Sequence, residues 1–370
     1  MNPLSEKNVF SSFFESGRAE KIVESINNNI HCAFEFEYGC GEPDFRRLLL
    51  ERLKKEPCFL FHMDLSMVTG PDHLAKRLSR AYAAAFAGDL KRIESAMAKL
   101  IPTATTKIVI GETEEPYIDF EYGTDTHKLL SNLFDFPEMA GMEENRHSVV
   151  VWSDFDRLNG ILHEEGMRVF INKARGHAIT SHVMTGRGIS GTAKKLSGAM
   201  ANQVQVMKYS EIVSREQIND YIRDAFAQYA AVPENVIEAI YGYADGRIEL
   251  IKTICAAISR SSDLNEPLTP GKTAEAVGEM ILNADLAYKN IWNNLNNRQK
   301  SALNGISSGD VQNIYSESFI KKYGFGTATN LQAALRGLQA KSVLGKRGRK
   351  WAFTDPFFRL WIRLSSGIGL

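Results

Sequence analysis

Residues 33–53, AFEFEYGCGEPDFRRLLLERL, place a strand-like alternation, a glycine turn and an amphipathic helix in immediate succession. That order is the layout of a phosphate-binding loop, where backbone N–H groups of a glycine turn cradle phosphate at a helix start. In G-x-x-x-x-G-K-[ST] the Lys neutralises the phosphates and the hydroxyl holds Mg²⁺. Counted from Gly39, the second Gly is replaced by Asp44, the Lys by Phe45 and the Ser/Thr by Arg46. An Asp repels phosphate and a Phe cannot stand in for an ammonium. The stretch predicts the position of a phosphate loop without its chemistry. Gly39 and Gly41 can still bring backbone close to a phosphate, with Arg46 adding charge; equally, the glycines can do no more than turn the chain.

A chain of 370 residues has room for two or three domains with their own cores. Lys plus Arg equals Asp plus Glu at 44 each, so overall charge points to neither nucleic acid nor membrane. No apolar run approaches the roughly 20 residues of a membrane span. The opening MNPLSEKNVF has no basic stretch followed by an apolar one, so no secretory leader is expected. Cys32, Cys40, Cys58 and Cys255 lack C-x-x-C spacing and read as buried thiols of a reducing compartment. A cytoplasmic protein is the expectation.

Apolar and β-branched runs at 57–65, 147–154 and 178–184 read as strands. The opening strand alternates Phe34, Phe36 and Tyr38 with Glu35 and Glu37, which suggests a face that is wet or paired. Helical patterns separate these runs, at 45–55, 71–100, 124–141 and after 154, and 101–123 reads as a hairpin or irregular insertion. Strands alternating with helices define an α/β fold with a parallel sheet and helices on both faces. From about 211 the strand signals stop, and 214–228, 233–244, 246–260 and 272–305 are helical by periodicity. The expected domains are 1–210 (α/β), 211–285 (a helical lid) and 286–370.

The last domain reads as three helices followed by a hairpin at 343–354 around Gly345 and Gly348, the order of a winged helix-turn-helix. Its third helix begins at a Thr N-cap. From Arg336 to Arg363 Asp355 is the sole acidic residue, so local charge is strongly positive. Lys341, Lys346, Arg347, Arg349 and Lys350, with Arg336 on the third helix, are candidate phosphate contacts. Thr327, Thr329, Asn330 and Gln332 are candidates to face a DNA groove. The alternative is a solvated hairpin on a module used for packing. Phe357, Phe358 and Trp361 are assigned to the core.

Taken in order, several sets of residues give the chain a resemblance to archaeal-type P-loop ATPases of the STAND and AAA+ grouping. They are Gly17-Arg18-Ala19-Glu20-Lys21, the loop at 34–50, the strands ending at Asp64 and at Asp154, Met184-Thr185-Gly186, Asp245-Gly246-Arg247, and Asp355-Pro356-Phe357-Phe358. The resemblance implies a P-loop NTPase fold, a helical lid and a winged helix. It also implies ATP with Mg²⁺, a nucleotide contact from Arg18, and an arginine at 247 reaching the nucleotide; a surface arginine at a helix start is the bland alternative. In that family the Walker B strand ends in Asp-Glu, the Asp orienting Mg²⁺ and the Glu activating water. Here Ser153 and Asp154 hold those places, and Arg187 follows Thr185-Gly186 where a polar residue is expected. Three stations altered together predict a pseudo-ATPase, with no catalytic residue, cofactor or metal assigned. Three functions remain open: a scaffold acting on double-stranded DNA through the winged helix, a diverged ATP-binding switch, and a structural subunit paired with a protein partner such as an active ATPase paralogue.

Overall fold

The structure is a computed structural model, and it describes residues 9–86, 89, 91, 95, 106–109, 117–120, 125–196, 204–227, 232–261, 267–309, 313–347 and 350–369. Two compact units are present. One comprises Phe10–Glu37 and Glu42–Val213; the other comprises Ser214–Leu370 with the short segment Tyr38–Gly41 and the chain start.

The first unit is built on five parallel strands, β1 (His31–Glu35), β2 (Phe59–Asp64), β5 (Ser148–Ser153), β6 (Thr180–Gly186) and β7 (Val204–Lys208). Their order is β2-β5-β6-β1-β7. Alternation along β1 shows why both faces are covered. Ala33 joins a large core with Phe61, Val150, Trp152 and Met184 under the helices Pro71–Ala85, Thr126–Glu143 and Leu158–Gly176. Phe34 points the other way, its ring 4.8 Å from that of Phe45. The four-residue strands β3 (Thr106–Val109) and β4 (Tyr117–Phe120) pair antiparallel as a separate ribbon; the rest of 101–123, and most of 87–100, lie outside the described residues.

β1 starts earlier than the Phe/Glu alternation suggests and ends at Glu35, so Tyr38 belongs to the turn. Of the two glutamates, Glu35 is paired: its carboxylate accepts from the amide and hydroxyl of Ser190, at 2.9 and 2.6 Å. β7 carried no strand signal in the sequence. It is an edge strand whose short, partly exposed VQVMK takes its register from β1 alone. The cysteines are all buried and unbridged, and burial pushes Cys32 and Cys255 up to about 12 and Cys58 up to about 11.

In the second unit, the helices Arg215–Ala225, Glu234–Ala244, Ile248–Ser261 and Pro270–Asn283 form the lid. The long pattern at 272–305 is three helices, because it is broken at Ala284 and at the Asn296 N-cap. Helices Asn297–Ser307, Glu317–Lys322 and Ala328–Ala340, the hairpin β8 (Leu344–Arg347) and β9 (Lys350–Phe353), and Pro356–Ser365 complete the winged helix. Asp355 caps the last helix by accepting from the Phe357 amide, and Phe357, Phe358 and Trp361 are buried. Among the described residues no helix is long and apolar enough to cross a membrane.

The α/β core also buries a histidine cluster. The Trp152 indole donates to His182 Nδ1 at 3.0 Å, His182 Nε2 lies 3.1 Å from His177 Nδ1, and the His182 amide donates to His31 Nδ1. Burial, then the neighbouring His177, lowers His31 to about 4; burial and the charges of His31 and His177 push His182 well down. Unfolded, His31 takes up a proton below about pH 6.5; folded, it remains neutral to about pH 4. The unfolded state therefore binds more protons in that window, and stability falls as pH drops through it, by about 1.4 kcal/mol per pH unit for His31, with His182 acting in the same direction. Urea midpoints measured between pH 7 and pH 4 should fall steeply, and the fall should be shallower in His31→Gln. A flat profile would show that the cluster does not stay neutral.

Candidate functional site

The helix Glu42–Leu53 begins immediately after the glycine turn, with Pro43 in its first turn where a missing N–H costs nothing. Phe45 and Leu49 face inward. The Phe45 ring is fully buried among Phe10, Phe13, Phe14, Phe34 and Phe36, at centroid distances from 4.8 to 5.9 Å. Counting from Gly39 had set Phe45 at the phosphate-neutralising position; the structure removes it from any ligand surface and makes it the anchor of the helix.

Glu42 and Arg46, four residues apart and flanking the Phe45–Leu49 stripe of that helix, reach the carboxyl-terminal edge of the sheet. There β2 ends at Asp64, β5 at Ser153 and β6 at Gly186. Glu42 accepts a hydrogen bond from the Thr185 hydroxyl. Arg46 lies 3.5 Å from Glu42 and 4.0 Å from Asp154. Asp154 turns the chain in left-handed geometry (φ 53°), which Asp tolerates better than most residues. Ser153 is fully buried, and its hydroxyl is 2.9 Å from His62 Nε2, so the residue in the Mg²⁺-ligand place is turned to a histidine of the neighbouring strand. Asp156 accepts from the Arg187 amide at 3.0 Å, while the Arg187 side chain is exposed.

The edge thus gathers several carboxylates beside the Arg46 guanidinium. Burial raises Asp154, reinforced by Asp156, with Arg46 opposing. Burial also raises Glu42, although the Thr185 hydroxyl and Arg46 pull it back. For Asp64 burial acts upward too, but hydrogen bonds from Ser66 and the charge of Arg46 outweigh it and the net shift is downward. His62 is lowered by burial and by Arg46. Crowded anions resist ionising together, and a polyanion brought here meets the same repulsion.

The remaining candidates are dispersed. Arg18 is exposed, donates to the Glu211 carbonyl and lies 5.8 Å from the Phe13 ring centroid. Asp44 is half-buried in the first turn of its helix. Gly39 and Gly41 both have positive φ, 77° and 74°, so the turn needs glycine. Arg247 is not a surface residue. It is 1% exposed, and its guanidinium donates to the carbonyls of Tyr38 at 3.0 Å, Phe353 at 3.1 Å and Thr354.

On the winged helix, several expected groove residues are used internally. The Thr327 hydroxyl caps its helix by accepting from the Asn330 amide. The Asn330 side chain donates to the Phe325 carbonyl and accepts from Arg298. Lys341 donates to the Asn294 carbonyl, and Lys346 lies 5.3 Å from the Trp351 ring centroid. Thr329, Gln332, Arg336 and Lys350 are exposed; Arg349, and the side chain of Arg347, lie outside the described residues. Exposed Lys321 and Lys322, at the end of the second helix, were not among the candidates, though the dipeptide before Tyr323-Gly324 is a visible charge signal. Glu42 was missed because the count began at Gly39; Pro43 was the signal for a helix starting there.

A parallel five-stranded sheet with helices on both faces, a helical lid and a carboxyl-terminal winged helix is the architecture of archaeal AAA+ P-loop ATPases, and that is the fold of this chain. Residues 286–364 match the family described as a probable winged helix domain. Among solved structures, the chain is similar to a Walker-type ATPase of Pyrococcus abyssi, with 16% identity, a TM-score of 0.59, and coverage of 95% of this chain and 96% of that one. It is also similar to the ORC2 protein of Aeropyrum pernix, solved as ADPNP–ADP complexes, with 8% identity, a TM-score of 0.51, and coverage of 99% and 97%. A search of curated proteins by sequence finds no match.

Arg46 lowers both Glu42 and Asp154, so Arg46→Met should raise the titration midpoints of both carboxyls further above the usual range. Carboxyl-carbon NMR across pH 3–8 would read this. Unchanged midpoints would show that Arg46 is not their counter-charge.

Proposed function

We propose that this protein is a catalytically degenerate AAA+-type ATPase that acts as a DNA-associated scaffold through its winged helix. The observation that carries the reading is the acidic sheet edge, where Glu42, Asp64 and Asp154 face Arg46 and Asp156 lies beside Asp154. When the loop is aligned on its helix start, Gly41-Glu42 takes the place of the motif's Gly-Lys. A carboxylate replaces the ammonium that neutralises phosphate, and Ser153 replaces the Mg²⁺-orienting Asp. The similar Aeropyrum pernix protein is solved as ADPNP–ADP complexes; the charge of this edge is why nucleotide binding is not carried over to this chain. The inward turn of Ser153 and the burial of Arg247 point the same way.

Support for DNA as the partner comes from the third helix of the winged module. Thr329, Gln332 and Arg336 are exposed there at helical spacing, with small residues Ala328 and Ala333 beside them, a surface narrow enough to enter a groove. Lys350 on the hairpin and Lys321 with Lys322 on the second helix supply charge for phosphate contacts.

Calorimetric titration of ATP or ADP, with and without Mg²⁺, should give no binding heat. Saturable Mg²⁺-dependent binding would overturn the degenerate reading. In a mobility-shift titration on duplex DNA, Arg336→Glu with Lys350→Glu should weaken binding about tenfold or more. The same pair should make the slope of log affinity against log salt shallower by about 2. An unchanged slope would remove these residues from the DNA contact.

A further inference from the structure

Arg247 precedes the helix Ile248–Ser261, whose amino-terminal end carries partial positive charge and disfavours a cation. Burying a guanidinium there is costly unless its N–H groups find acceptors. Both terminal nitrogens find them, in two distant segments. One terminal nitrogen donates to the carbonyls of Tyr38 and Thr354 and the other to that of Phe353, with the Asp245 carboxylate 3.7 Å away. Tyr38 is in the glycine turn; Phe353 and Thr354 end the wing and lead into Asp355, which caps the final helix and accepts from the Tyr288 hydroxyl at 3.0 Å.

Two further contacts hold the same turn. The Glu249 amide, one of the donors a helix start leaves without an internal partner, donates to the Gly39 carbonyl at 2.9 Å. Leu250 packs on Gly39 so closely that a Cβ there would stand 3.2 Å from its Cγ. The turn Asp245-Gly246 makes this possible. Both residues have positive φ, and a Cβ on Gly246 would lie 2.8 Å from the Tyr241 hydroxyl. The lid reads the turn through its carbonyls, whereas a phosphate cradle works through N–H groups.

We infer that Arg247 is a clamp fastening the turn Tyr38–Gly41 to the lid helix and to the end of the wing, in an attachment that needs no nucleotide. This inference rests on the reading of the site as one that takes no nucleotide. The turn and the wing's last strand then open together, because one guanidinium serves both.

Hydrogen exchange by mass spectrometry on the full chain, with and without ATP and Mg²⁺, tests it. Arg247→Ala should speed exchange in 36–41 and in 352–355 together, by about tenfold or more. Arg247→Lys should fall between, since an ammonium lacks the planar fork. Should Arg247→Ala fail to fold, Gly39→Ala, which strains the turn and leaves Arg247 in place, should also speed exchange in both 36–41 and 352–355. Acceleration confined to one segment, or absent from both while ATP has no effect, overturns the clamp and leaves the nucleotide-free reading standing. Protection of 36–41 by ATP in the unaltered protein overturns that reading instead, whatever the variants do.

Discussion

The burial of Phe45 sets the geometry of the α/β unit's candidate site. With its ring held among five other phenylalanines, the helix Glu42–Leu53 has one rotational setting against β1. That setting sends residues 45 and 49 into the core and residues 42 and 46 to the sheet edge, as the helical repeat requires. Glu42 and Arg46 meet Thr185 and Asp154 there because an aromatic side chain elsewhere on the same turn is fixed.

What the edge can do follows from charge and not from shape. A glycine turn leads into the helix Glu42–Leu53, and carboxylates gather at the strand ends beside it. Burial and the neighbouring carboxylates raise Glu42 and Asp154, Arg46 offsets this only in part, and the same crowding repels further anions. The stability of the fold resides in the two apolar faces of the sheet, so the charges at this edge do not decide it.

In the second unit the dominant cost is a buried guanidinium. Arg247 is tolerated because three backbone carbonyls, at or beyond the ends of regular hydrogen-bonding ladders, need donors. The arrangement ties the glycine turn to the winged module through main-chain groups, which no pattern of side chains announces.

The sequence by itself determined the parallel α/β class and the winged helix. Each is written in local signals: alternating strand and helix periods, a Thr N-cap, and Asp-Pro before an apolar helix. The Phe/Glu alternation was local as well, yet it misplaced the end of β1, because a strand ends where its neighbours stop pairing. Tertiary structure alone decided that Phe45 is core and Glu42 is site, that Asn330 and Lys341 are spent on carbonyls, and that β7 is a strand. These outcomes depend on partners distant in sequence, and a residue's chemistry becomes a role only when folding chooses what it faces.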